Sequence, residues 1–194
     1  MNHWASAGRF AAIISGIVVA GVVVTSSPAR AQGKFRLESA TFTDGAMLKS
    51  EQVYSGFGCT GDNVSPELHW SGAPEGTKSF VITAFDPDAP TGSGWWHWVV
   101  FNIPGGTTSL PAGAGDPSSG KLPKGAAQSR TDFGKPGYGG PCPPPGKVHH
   151  YIFTIYALKV PSLQLGPDTS PAMVSFNLHA NSLASVKLTG RYGR

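Results

Sequence analysis

Charge is scarce in this sequence, and no stretch of it gathers lysine or arginine. Only 13% of the 194 residues are charged, with 15 basic against 11 acidic side chains. A chain without a basic run has no electrostatic footprint for nucleic acid or for an anionic membrane surface, so neither is its main partner. Cysteine is equally sparse: Cys59 and Cys142 are the only two. No Gly-x-Ser-x-Gly elbow occurs, since Ser55-Gly56 and Ser71-Gly72 lack the preceding glycine. A hydrolase of that type is therefore disfavoured, and the chain is read as a non-enzyme. No His-x-x-x-His or His-x-His pair serves one face, so a metal ion is not expected either, and no cofactor is implied. The apolar run near the start, Phe10 to Val24, is shorter than the ~20 residues a helix needs to cross a bilayer.

That short run belongs instead to an export signal. Arg9 supplies the positive flank, and Ala29-Arg30-Ala31 places small residues at the −3 and −1 positions of a cut before Gln32. Residues 1–31 are read as a cleaved signal peptide, and residues 32–194 as one domain long enough to bury a core. The expected location is periplasmic or secreted. Arg9 and Arg30 leave with the leader, which brings the mature chain close to neutral. Export also places Cys59 and Cys142 where a bridge persists; a disulfide between them and two buried free thiols are the two readings.

What is abundant is glycine (26) and proline (17), a balance that fits short strands joined by turn-rich loops. Ser79–Phe85, Trp98–Ile103 and His150–Leu158 are runs of β-branched and aromatic residues and read as central strands. Phe35–Phe42 and Leu68–Trp70 are further candidates, and Ala184–Tyr192 alternates as a half-exposed terminal strand does. One helix is expected: Ser170-Pro171 makes a good N-cap and first-turn pair, with Met173, Phe176, Leu178 and Leu183 as its apolar stripe. Between Pro104 and Lys147 the chain is loaded with Gly and Pro but carries Phe133, Tyr138 and Cys142. Those buriable groups mark an ordered, functional loop.

The chemistry gathers at strand ends. Asp86-Pro87-Asp88-Ala89-Pro90 follows the first central strand, and Gly94-Trp95-Trp96-His97-Trp98 opens the second. The third begins His149-His150-Tyr151. Alternation puts His149 and Tyr151 on one face and turns His150 away, without a ligand role. Two acids, two imidazoles and a phenol beside a Gly/Pro loop make a convergent binding site.

These residues resemble the signatures of the phosphatidylethanolamine-binding protein (PEBP) family, in its bacterial Raf-kinase-inhibitor-like branch. Asp86, Pro87, Asp88, Pro90, His97 and Asn102 match the first signature; Gly140, Pro141, His149 and Tyr151 match the second. Asn63-x-Ser65-Pro66, Trp70, Asp132-Phe133-Gly134 and Tyr138 are similar to the bacterial branch. His150 departs from the arginine of many members, and Ser129-Arg130-Thr131 from their Gly-x-Asn. The resemblance implies a mainly β fold, with a large antiparallel sheet packed with a smaller one and a few peripheral helices, one of them C-terminal. It also implies a small anion pocket, with Asp86, Asp88, His97, Pro141, His149 and Tyr151 as its binding residues. The ligand is then a phosphate-bearing small molecule or lipid headgroup. In this reading Asp86 orients and charges His97, Asp88 fixes the loop, and protonated His97 or His149 donates to the anion together with the Tyr151 hydroxyl. Trp95-Trp96 sits at the mouth, or else packs inside. The alternative function is that of a kinase- or protease-inhibitor-like interaction protein using the loops around the pocket; a protein partner and a homodimer are the further partner expectations.

Overall fold

The β-branched and aromatic runs become the middle of a sheet. The structure is a computed structural model that describes residues 33–194, together with residues 1 and 3. Apart from those two positions, the expected signal peptide lies outside the described residues. In chain order the strands are β1 (Arg36–Glu38), β2 (Ser55–Gly56), β3 (Cys59–Thr60), β4 (Leu68–Ser71), β5 (Ser79–Asp86), β6 (Trp95–Pro104), β7 (Ser109–Leu110), β8 (Ala127–Gln128), β9 (His149–Leu158) and β10 (Ser182–Tyr192). The helix α1 spans Pro171–Asn181. The larger sheet has the order β10-β9-β5-β6-β8, a smaller one β1-β4-β7, and β2-β3 is a two-stranded hairpin. All of these pairings are antiparallel. The large sheet packed with a smaller one matches the expected fold class.

Burial on both faces explains why β5 reads as a continuous apolar run. Phe80, Ile82 and Ala84 turn toward the core shared with Leu37, Leu68, Trp70 and Leu110 of the smaller sheet. Val81 turns the other way, toward Val99, Phe101 and Leu158. That second face is covered by Leu163 and by Val174 and Leu178 of α1.

The helix starts where expected but rolls differently. Ser170 caps it by accepting the Met173 N–H, and Pro171 occupies its first turn. The buried face is Pro171, Val174 and Leu178, whereas Met173 and Phe176 are 50% and 75% exposed. Of the expected stripe only Leu178 is buried. Leu183 already belongs to β10, at the register shift between Ser182 and Ala184. The short connection from helix to strand sets which side of α1 meets the sheet, and that side is the Val174–Leu178 row.

Two further irregularities shape β6. Between Ala84 and Phe85 of β5, the opposite strand advances from Trp98 to Trp96, so His97 is an extra residue. Between Phe80 and Ile82 it advances from Ile103 to Val100. In that second stretch Asn102 has φ 59, a left-handed conformation that asparagine tolerates better than most residues. The Asn102 side chain donates to the Leu163 carbonyl and accepts the Leu163 N–H at 2.7 Å. This signature asparagine holds the chain over the sheet's far face and is not a ligand.

Candidate functional site

Asp86 closes β5, and the Asp-Pro-Asp turn after it places the two carboxylates differently. Asp86 is buried; its Oδ1 accepts the Asp88 N–H at 2.8 Å, an Asx turn. Its Oδ2 accepts Nδ1–H of His149, also at 2.8 Å. Asp88 turns outward, where Oδ2 accepts both the backbone N–H and Nδ1–H of His150. Burial pushes the Asp88 carboxyl up, but the bonds and charge from His150 outweigh it and hold the group below its usual range. Two consecutive histidines thus meet two acids on opposite faces of β9, one pair buried and one exposed.

His97 has a different partner from the one expected. Its Nδ1 donates to the Gly139 carbonyl at 2.6 Å, and its own carbonyl accepts the Gly139 N–H at 2.9 Å. Asp86 does not orient His97; it orients His149. The bulge turns the His97 ring toward the loop around Gly139. Burial pushes this imidazole down to about 4, against smaller opposing effects of the Gly139 carbonyl and the Asp86 charge. A protonated His97 is therefore not the donor near neutral pH. Since a carbonyl can only accept, Nδ1 keeps the ring's proton and Nε2 carries a lone pair.

The loop that holds His97 is itself held by Asn63. The Asn63 amide donates to the Tyr138 carbonyl at 3.0 Å and accepts the Gly140 N–H at 2.7 Å. A Cβ on Gly140 would run into the Gln52 carbonyl and the Tyr54 N–H, so the chains pass here at glycine distance. Reading from strand ends missed Asn63 as a site-building residue. Its resemblance to the bacterial-branch motif was the available signal.

Asp86, His97, His149 and Tyr151 line one cavity of about 190 Å³. All four are buried. Two of their atoms, His97 Nε2 and the Tyr151 hydroxyl, are buried without a hydrogen-bond partner. Burial first, and then the neighbouring Asp86 charge, raises the Tyr151 phenol well above its usual range, so it stays a neutral O–H. Around these four stand Phe57, Pro90, Trp95, Phe133, Pro143 and Pro144. Phe133 is the centre of that wall, with ring centroids 4.6 Å from Tyr54, 5.5 Å from Trp95 and 5.4 Å from His97. Asp132 places it by accepting the Trp96 N–H at 2.7 Å. The expected Trp95-Trp96 pair is split: Trp95 borders the cavity, while Trp96 packs on Phe85 and the opposite core.

Asp88 and Pro141, both expected in the pocket, lie outside its lining. Asp88 is engaged by His150, and the Pro141 carbonyl accepts the Tyr54 N–H at 3.0 Å. Pro143 and Pro144 form the wall in place of Pro141. The cysteines are joined, Cys59 to Cys142, with Cα atoms 6.0 Å apart. The bridge pins the β2–β3 hairpin, whose turn residue Phe57 has φ 54, against the cavity wall. A larger cavity of about 440 Å³ shares Phe133, but its charged side chains are exposed. Its buried Tyr138 is already satisfied by the Gln52 carbonyl. Of these two cavities it is the smaller that holds unpaired buried atoms, His97 Nε2 and the Tyr151 hydroxyl.

This is a β protein with a small, half-open cavity at one end of its main sheet, where Asp86, His97, His149 and Tyr151 meet an aromatic and proline wall. Residues 38–193 match the family model described as "Phosphatidylethanolamine-binding protein", and the chain belongs to that family. It is 52% identical over 159 residues to YbcL of Escherichia coli, spanning 81% of this chain and 87% of YbcL. It is 50% identical over 157 residues to YbhB of the same organism, spanning 81% and 99%. The crystal structure of E. coli YbcL, titled a new member of the mammalian PEBP family, superposes with a TM-score of 0.82 at 50% identity, covering 84% of this chain and 99% of that one. The structure of the PEBP homologue CT736 from Chlamydia trachomatis superposes at 0.70 with 28% identity, covering 82% and 97%.

Proposed function

We propose that this chain is an exported, non-catalytic binding protein whose cavity takes a small anion, either phosphate or the phosphate of a lipid headgroup. The observation that carries this reading is a pair of buried polar atoms, His97 Nε2 and the Tyr151 hydroxyl, left without protein partners in one cavity. Orphaned buried polar groups are costly and are usually satisfied by something that binds. The buried Asp86–His149 pair supports an anion specifically. When His149 is protonated, Asp86 balances the imidazolium, and Nε2–H becomes a charge-assisted donor. The non-catalytic assignment rests on the cavity's chemistry. Thr91 there donates its hydroxyl to the Gly94 carbonyl, and Cys142 is spent in the disulfide, so neither stands as an activated nucleophile. Export rests on the leader-like composition of residues 1–31.

A calorimetric titration with phosphate, phosphoethanolamine and a neutral control tests the binding. Phosphate-dependent heat that disappears in His149→Ala and Asp86→Ala is the expected result, and no heat from any of the three would refute the reading. N-terminal sequencing of the protein recovered outside the cytoplasm tests the export, with Gln32 as the expected first residue.

A further inference from the structure

Rested on the anion-binding reading, the geometry points to a narrower ligand class: we infer that the cavity selects anions that bring a hydrogen of their own, such as hydrogen phosphate or a phosphomonoester, over isosteric anions that carry none. The argument turns on which way each polar group in the cavity faces its proton. His97 gives its Nδ1 proton to the Gly139 carbonyl at 2.6 Å, and the same glycine's N–H returns to the His97 carbonyl. The ring is therefore fixed in one tautomer, and Nε2 is an acceptor, buried and unpartnered. Asn63 holds Tyr138 and Gly140 on either side of Gly139, fixing the carbonyl that the ring faces, and a ring flip would give up the bond to it.

An acceptor lone pair at a buried position repels an anionic oxygen and attracts an O–H or N–H. The other groups divide the work. The Tyr151 hydroxyl makes no close hydrogen bond within the protein, lies beside the Asp86 carboxylate, and can donate to an anionic oxygen. Each Asp86 oxygen already accepts one hydrogen bond, Oδ1 from the Asp88 N–H and Oδ2 from His149. His97 Nε2 accepts none, and is the wholly unpartnered acceptor left for a ligand hydrogen to satisfy. Hydrogen phosphate supplies one P–O–H and several anionic oxygens, and fits a site that sets an unpartnered acceptor beside a hydroxyl donor. Sulfate has nearly the same size and shape and no hydrogen near neutral pH. Dimethyl phosphate, a diester, likewise has none. Phosphoethanolamine supplies a donor either from its phosphate or from its ammonium group.

The experiment is a competition series by calorimetry near neutral pH on the wild-type protein, with inorganic phosphate, sulfate, dimethyl phosphate and phosphoethanolamine. Leaving a buried acceptor facing an anion is expected to weaken sulfate and dimethyl phosphate by about 30-fold or more relative to phosphate. Phosphoethanolamine should bind at least as well as phosphate. Sulfate or dimethyl phosphate binding within about threefold of phosphate would overturn the selectivity while leaving the anion-binding function standing. No binding by any of the four would overturn both. His97→Gln, whose amide offers donor as well as acceptor, provides a second readout: sulfate should gain on phosphate in this variant, and an unchanged ratio would assign the selectivity elsewhere and overturn the role given to His97. Circular dichroism of the variant confirms that the comparison is made on folded protein.

Discussion

Asp86 accepts Nδ1–H of His149 at 2.8 Å, with the two side chains 4% and 5% exposed. This bond joins the last residue of β5 to the first of β9 at the bottom of the cavity. Asp86→Ala removes the acceptor for two donors at once, His149 and the Asp88 N–H. Breaking a buried pair by deleting one partner costs about 3 kcal/mol, so urea unfolding should show a loss of that order together with lost phosphate binding. Asp86→Asn keeps the shape and should recover much of the stability while leaving affinity low, because the charge that balances a His149 imidazolium is gone.

His97 predicts how stability depends on pH. Its folded-state value is lowered to about 4 from an ordinary 6.5. Between those two values the unfolded chain binds a proton that the folded protein does not. The contribution of neutral, buried His97 is present above 6.5 and is lost as pH falls toward 4, by up to about 3 kcal/mol. His97→Phe has nothing to protonate there. Urea midpoints measured at several pH values should fall more steeply for the wild type than for the variant across this window, and parallel slopes would contradict the burial argument.

Cys59 and Cys142 are separated by 83 residues in sequence. Closing a loop of that length restricts the unfolded chain by about 4 to 5 kcal/mol in the chain-entropy account. The double substitution to serine should lower the denaturation midpoint accordingly. It should also loosen Phe57 and the proline wall, seen as weaker ligand binding at temperatures where the variant is still folded.

Asn63 makes two hydrogen bonds to the loop that holds His97 and does not itself line the smaller cavity. Asn63→Ala should cost about 1 to 2 kcal/mol through the unpaired Gly140 N–H. It should also reduce phosphate affinity by several-fold, because His97 loses its fixed orientation. A variant with lowered stability and unchanged affinity would mean that Gly139 holds its place without this clamp.

The three central strands were legible because residues buried on both faces must be apolar, and β-branched or aromatic runs have few other uses. Their ends were less so. Trp95 to His97 belong to β6 through pairing with Phe85, Asp86 and Asp132, contacts that composition does not encode. The helix start at Ser170-Pro171 followed from local capping chemistry, while its buried face depended on how α1 meets the sheet. His149 and Tyr151 were placed correctly by alternation, which holds in a regular strand. His97 sits at a bulge, where alternation fails, and the assignment of Asp86 to it failed with it.

What the sequence determined by itself is the inventory: strands in order, a turn that leaves Asp86 at a strand end, a His-His-Tyr start that divides its faces, and a loop rich in glycine. These follow from local geometry and residue period. What only the tertiary structure decided is who meets whom. That Asp86 takes His149, that Gly139 takes His97, and that Asp88 leaves the pocket for His150 are long-range contacts set by sheet register and by one extra residue in β6. Local chemistry cannot specify them, because each side chain had more than one suitable partner and only the packed sheet brings one of them within hydrogen-bond distance.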